Sequence, residues 1–266
     1  MTTVRELMHE GLITCSSSTE LTGVAELLRK HNIHAVVVTD EANRAVGIVS
    51  DTDLLAGEWL STTTENMSVM RHMTAGELMT TPLASVGASS TAAEAAAEIR
   101  RLHVARLLVV EDAVPVGVIS VSDLLGALLL KGPQRKVVRD VMSWGFVACR
   151  PNTPYYGAVR AMRERDSRSV LVIDERGRLV GVVTGFDLLG ILSGETAAEG
   201  EIGVLMKPPI TIGPDASLQE AVDLMLGEGI HRLVVVDPNA PHGPPLGLIS
   251  TTDVMVEMAF PGSAWH

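Results

Sequence analysis

The chain has 266 residues, nearly half of them apolar and few aromatic, which gives room for a substantial core and excludes a disordered polymer. Its net charge of −11 divides as −7 up to Gly132 and −4 from Pro133 onward, so neither half carries the basic footprint that nucleic acid requires. No apolar run reaches the ~18 residues of a membrane span, and Met1-Thr2-Thr3-Val4-Arg5-Glu6 lacks the basic start and apolar centre of a secretory signal, so a cytoplasmic protein without membrane insertion is expected.

Residues 12–15 read as a short strand, and a helix is predicted over 19–31 with Leu21, Val24, Leu27 and Leu28 on one face. A buried strand over 35–38, a turn at 40–43 and a strand over 46–49 follow, and a further helix starts after Ser50. Polar residues 61–66 carry no periodicity and read as a linker. The order then recurs. An Ala-rich helix over 92–102 opens on the capping-box pattern Thr91-x-x-Glu94, and strands are predicted at 107–110 and 116–119. The third helix of this kind opens with Thr153 as cap and Pro154 at the first helical position, and the fourth with Ser217-x-x-Glu220. The closing segments 124–130, 188–192 and 254–260 are apolar on nearly all sides, so they are expected to be buried on more than one face, units pairing and pairs stacking helix to helix.

Two landmarks keep time along the chain. Gly-aliphatic-aliphatic-[Ser/Thr]-x-x-Asp occurs four times, with its glycines at 47, 117, 181 and 247. The opening apolar-x-x-[Leu/Val]-Met stands before each copy, ending in Met8, Met79, Met142 and Met206, and the distance from Met to the motif Asp is 45, 44, 45 and 47 residues. The chain is therefore four copies of one small α/β unit: 1–60, 73–131 after a linker at 61–72, 132–195 and 196–260, with a tail at 261–266. The methionines read as core filling, Trp59 and Trp144 as packing anchors near linkers, and Trp265 as part of a loose tail. Cys15 and Cys149 align with Ile212 and Val86 and read as buried strand positions; a disulfide or metal pair is the minority alternative, since no Cys/His spacing supports it.

The recurring corner is where a strand hands over to a helix. Its amides favour an anion, its hydroxyl (Ser50, Ser120, Thr184, Ser250) adds a donor, and its carboxylate (Asp53, Asp123, Asp187, Asp253) can accept from both hydroxyls of a ribose. The acid repels phosphate, so a cation must enter, and His34, Arg106, Arg168 and the pair His231-Arg232 are the candidates. The alternative is that Ser-x-x-Asp only caps a helix; against it, Glu or Gln is usual at the third position, and all four corners have Asp.

A strand-helix-strand-strand-helix unit ending in this motif resembles the CBS domain, named after cystathionine β-synthase. All four units match, covering nearly the whole chain. The resemblance implies an α/β (α+β) fold of four CBS units paired into two Bateman modules, similar in architecture to the γ subunit of AMP-activated protein kinase. It implies clefts between paired units that bind AMP, ADP or ATP, with NAD or S-adenosylmethionine as further options. The motif acids would then hold ribose and the hydroxyls phosphate. In γ-type proteins a His-Arg pair before the second strand holds phosphates; unit four keeps it as His231-Arg232, while the others offer His34-Ala35, Ala105-Arg106 and Arg168-Ser169. The expected function is that of a stand-alone regulatory protein, not an enzyme, with no metal or catalytic cofactor and with a regulated protein partner or a homodimer as further options. The alternative is a ligand-free scaffold that recruits a transporter or enzyme.

Overall fold

A computed structural model of the chain describes residues 2–56, 72–128, 136–197, 199–241 and 243–258. The chain opens with α1 (Val4–Leu7) and β1 (His9–Glu10), followed by β2 (Thr14–Ser16), α2 (Leu21–His31), β3 (Ala35–Thr39), β4 (Ala45–Ser50) and α3 (Asp51–Ala56). The second repeat supplies α4 (Ala75–Leu78), β5 (Ser85–Gly87), α5 (Ala92–Leu102), β6 (Arg106–Glu111), β7 (Val114–Ser120) and α6 (Val121–Leu128). The third supplies α7 (Val138–Val141), β8 (Ala148–Cys149), α8 (Tyr155–Glu164), β9 (Ser169–Ile173), β10 (Leu179–Thr184) and α9 (Gly185–Leu192). In the fourth, a 3-10 turn (Ile202–Val204) precedes β11 (Thr211–Ile212), α10 (Leu218–Gly227), β12 (Arg232–Val235), β13 (Gly247–Ser250) and α11 (Thr251–Met258). In every repeat the first strand pairs parallel with the second, and the second pairs antiparallel with the third.

Local chemistry sets the element ends. Thr91 Oγ1 accepts from the Glu94 amide at 3.2 Å while Glu94 accepts from the Thr91 amide at 2.7 Å, the expected box at the start of α5. Ser217 accepts from the Glu220 amide at 3.1 Å in the same place on α10. Pro154 departs from expectation. It is the extended N-cap of α8, one position earlier than predicted, because its backbone pairs with Glu201 and the next amide, Tyr155, donates to the Gly200 carbonyl.

Two compact bodies result. One holds Met1–Leu12, Ala84–Gly145 and Ile210–His266; the other holds Ile13–Leu83 and Phe146–Pro209. The first therefore unites repeats 2 and 4 in one core, with Ile99, Leu107, Ile119 and Leu124 packed among Val222, Met225, Leu233 and Val254. The second unites repeats 1 and 3, with Leu21, Leu28, Val36 and Leu54 among Met162, Val170, Leu188 and Leu192. The all-round apolar character of the closing helices is what permits this: α9 has seven of its eight residues buried.

The opening segments are exchanged. Residues 4–10, which precede the first strand of repeat 1, lie on repeat 2, where β1 adds to the edge of β7. The segment before repeat 2 lies on repeat 1 through the bridge Ile48–Thr80. Likewise the segment before repeat 3 lies on repeat 4 (Ser143–Leu248), and that before repeat 4 lies on repeat 3 (Val182–Lys207). In all four, the residue after the opening Met faces the residue after the corner Gly. The glycines make this approach feasible. A Cβ at Gly117 or Gly247 would stand 2.4 Å from the carbonyl oxygen of His9 or Ser143, and one at Gly47 or Gly181 would meet Met79 or Met206 within 2.9 Å. The opening methionines are thus covers over the corner glycines: Met8 and Met142 are buried as expected, whereas Met206 is 36% exposed.

Trp144 corrects its assignment as a packing anchor, since the residue is 66% exposed. Trp59, Trp265 and the linker at 61–66 lie outside the described residues. Cys15 is buried and Cys149 half-buried, both as free thiols, and burial pushes both pKa values up against a smaller opposing hydrogen bond from Thr19 or Thr153.

Gly247→Ala should cost about 1–3 kcal/mol, because a backbone carbonyl cannot step aside as a flexible side chain can. Gly145→Ala, where a Cβ meets nothing within 4 Å, should stay within about 0.5 kcal/mol of the natural chain in urea denaturation. The capping box of Thr91 and Glu94 also predicts a pH effect. Thr91 holds the Glu94 carboxyl below its ordinary value of 4.5, so the stabilisation is present above that pH and is lost as the pH falls through the folded value. Thermal melts of the natural chain and Glu94→Ala should differ at pH 7 and converge towards pH 3.

Candidate ligand-binding corners

Each corner is built the same way. The main-chain amide of Ser50, Ser120, Thr184 or Ser250 donates to Oδ2 of the acid three residues on, at 2.8, 2.7, 2.8 and 2.8 Å. The hydroxyl of the same residue donates to the same Oδ2 at 2.7, 2.7, 2.6 and 2.6 Å. In three corners the hydroxyl also accepts from the acid's own amide, at 3.2, 3.4 and 3.3 Å. Asp therefore makes the box as well as Glu does, and its presence at the third position is no argument against capping. Capping and ligand binding are not exclusive, because the box engages only Oδ2.

The basic candidates are brought to their corners by the main chain. The carbonyls of His34, Ala105, Arg168 and His231 each accept from the first helical amide of their own corner, from Asp51, Val121, Gly185 and Thr251, at 3.0–3.1 Å. Arg106 and Arg232 open their strands directly opposite Ser120 and Ser250. This corrects the expectation of a helix start with several open amides. The first amide satisfies a carbonyl, and the third is turned to the hydroxyl in the corners of repeats 1, 2 and 4, so these amides are engaged within the chain.

The corners differ in what surrounds this common frame. In repeat 1, His34 Nδ1 lies 2.8 Å from Asp51 Oδ2 and its ring packs on Phe186 of repeat 3 at 5.0 Å. Asp51, the first residue of α3, is a carboxylate that motif reading passed over, because the motif leaves its position variable. In the other body, Ser122 Oγ lies 3.1 Å from His231 Nδ1, so the corner of repeat 2 touches the pre-strand histidine of repeat 4. Arg168 is exposed, and Arg106 and Arg232 are half-buried.

The remaining oxygen, Oδ1, separates the corners into two kinds. His9 Nε2 lies 3.0 Å from Asp123 Oδ1, and Lys207 Nζ lies 2.5 Å from Asp187 Oδ1. Asp53 and Asp253 have no further partner at Oδ1 among the described residues. His9 and Lys207 are the residues that follow an opening methionine; no signal in the corner motif pointed to them, and only the exchanged register brings them there. No group of three His, Cys, Asp or Glu side chains able to hold a metal occurs among the described residues, nor does a helix long and apolar enough to cross a membrane.

A model of the CBS domain matches residues 4–58, 75–130, 138–194 and 200–259. Among curated proteins, an uncharacterized protein of Methanopyrus kandleri is 31% identical over 35% of this chain and 48% of its own length. Inosine-5'-monophosphate dehydrogenase of Nitrosopumilus maritimus is 33% identical over 38% of this chain and 20% of its own length. The chain thus spans less than half the length of these relatives. Among solved structures, a Methanocaldococcus jannaschii protein described as a candidate archaeal homologue of γ-AMPK superposes with a TM-score of 0.81 at 20% identity, covering 96% of this chain and 99% of that one. An uncharacterized conserved protein from Pyrococcus horikoshii gives 0.63 at 18% identity with the same coverage. These likenesses establish the four-repeat fold.

The box itself is testable apart from any ligand. Asp253→Ala should cost about 1 kcal/mol in thermal denaturation, the usual worth of a cap. Asp253→Asn keeps an oxygen for the Ser250 amide and should cost clearly less.

Proposed function

This chain belongs to the CBS-domain family, and on that premise we propose that it is a regulatory protein that binds adenine nucleotides, AMP, ADP or ATP, at its strand-to-helix corners. The observation that carries the reading is the divided carboxylate. In each corner the acid is held in place through Oδ2 by its own chain and keeps Oδ1 outside the box. A fixed acceptor of this kind suits the hydroxyls of a ribose, as acids do in dinucleotide folds. The cations beside the corners supply the charge that a phosphate needs where the first and third helical amides are engaged within the chain. His231 and Arg232 are the strongest phosphate-side pair, with Arg106, Arg168 and His34 in the equivalent places; the hydroxyls of Ser50, Ser120, Thr184 and Ser250 give their protons to Oδ2 and would reach a phosphate only by leaving the box. No residue is assigned a catalytic role, and the fold shared with a candidate archaeal γ-AMPK homologue agrees with a regulatory one.

Occupancy has a short path to the packing. The corner acid sits on the closing helix, and in each body that helix packs on the partner repeat: Leu55 of repeat 1 covers Gly185, the first residue of α9. A ligand that fits one arrangement of these helices better than another would shift the balance between them and pass it to a protein partner.

Isothermal titration with AMP, ADP, ATP, NAD and S-adenosylmethionine tests the reading. At 100 times its dissociation constant an adenylate should stabilise the protein by about 2.7 kcal/mol. Arg232→Ala should weaken AMP about tenfold, equivalent to about 1.4 kcal/mol, and leave adenosine much less affected. Silence from every adenylate would leave a ligand-free scaffold as the better description.

A further inference from the structure

We propose that the residue following each opening methionine decides which corners admit a ribose, with His9 and Lys207 acting as internal occupants of the corners of repeats 2 and 3. This rests on the nucleotide reading above and assigns a specificity-determining role to residues outside the corner motif.

Acceptor positions on each corner acid are limited. An ionised carboxylate offers about four lone-pair sites over its two oxygens. The box takes two of them, from one amide and one hydroxyl, in every corner. A vicinal diol that donates both protons needs the other two. In repeat 3 the Lys207 ammonium takes one at 2.5 Å, and in repeat 2 the His9 ring stands 3.0 Å from the same oxygen. The diol would then meet a carboxylate with one site left, and an ammonium donor is held more strongly than a neutral hydroxyl. Asp187 is also the most enclosed of the four acids, with a side chain 7% exposed, so its pair with Lys207 is shielded from water on the carboxylate side.

The equivalent positions in the other two corners are Thr80 and Ser143. Their backbones make the same bridges, Ile48–Thr80 and Ser143–Leu248, so the register is common and only the side chain differs. Neither brings a charge, and Asp53 and Asp253 keep both remaining sites among the described residues. The corner of repeat 4 combines this open acid with Arg232 opposite Ser250 and is the one best fitted to a nucleotide.

The test counts AMP equivalents by titration calorimetry on the full chain. Lys207 is 69% and His9 80% exposed at the side chain, so Lys207→Ser and His9→Ser leave the core untouched. Each should bind one more equivalent than the natural chain, Lys207→Arg should match the natural chain, and Asp253→Asn should bind one fewer. Four equivalents on the natural chain, or an unchanged count in both serine variants, would overturn the proposal while leaving nucleotide binding intact. No heat and no thermal shift with any adenylate would overturn the nucleotide reading, and this proposal with it.

Discussion

The structure depends on a missing methyl group. At Gly47, Gly117, Gly181 and Gly247 the strand that leads into each corner is crossed so closely that a Cβ would collide with a carbonyl oxygen or a methionine. With the strand surface bare there, the segment before one repeat can lie flat on another, in one register, four times. Nothing in the glycine's own repeat requires it. The constraint comes from a segment that, in sequence, belongs elsewhere.

That crossing decides what the corner acid sees. Its first duty is local: through Oδ2 it closes a box that satisfies its own chain, a role worth about 1 kcal/mol and common to all four corners. Its second oxygen stays outside the box, and in repeats 2 and 3 the crossing segment brings His9 and Lys207 to it. Identical motifs thus acquire different surroundings: a lysine ammonium at Asp187, an imidazole at Asp123, and no such partner among the described residues at Asp53 and Asp253. Asp51 adds a further asymmetry, since its carboxylate lies against His34 in repeat 1 while the first helical residue in repeat 4 is the uncharged Thr251.

Much of this was legible in the sequence. The repeat length, the order of elements, the box at Thr91 and Glu94 and the juxtaposition of hydroxyl and acid all follow from local periodicity and spacing. The pairing of repeats did not. An apolar helix face announces that it will be covered but not by what, since burial has no direction, and the union of 1 with 3 and 2 with 4 emerges only from the fit of α9 against α2 and α3 and of α6 against α11. The exchange of openings was hidden for a related reason: Met8 and Gly47 read as landmarks of one unit, whereas Met8 covers Gly117. The engagement of the first helical amide was missed because a capping pattern names the side chains involved and not the carbonyl of the residue before the central strand. Trp144 shows the limit of composition, since a large aromatic near a repeat junction ended mostly in solvent.

The same economy links the corner to the core. The carbonyl that accepts from the first helical amide belongs to the residue before the central strand, and the helix it holds is the one buried against the partner repeat. A displacement of the corner acid therefore cannot stay local. It must be absorbed by the box, by the strand, or by a tightly packed helix pair that tolerates few intermediate positions. The box ties the acid to groups three residues away on the same corner, so movement of the acid is carried into the closing helix and the helices packed on it. In repeat 3, where Leu55 presses on Gly185 two residues before Asp187, that pair is reached within the first turn of α9. The corner acid of repeat 3 thus stands within one helical turn of the contact between repeats 1 and 3, with no relay through the rest of the fold.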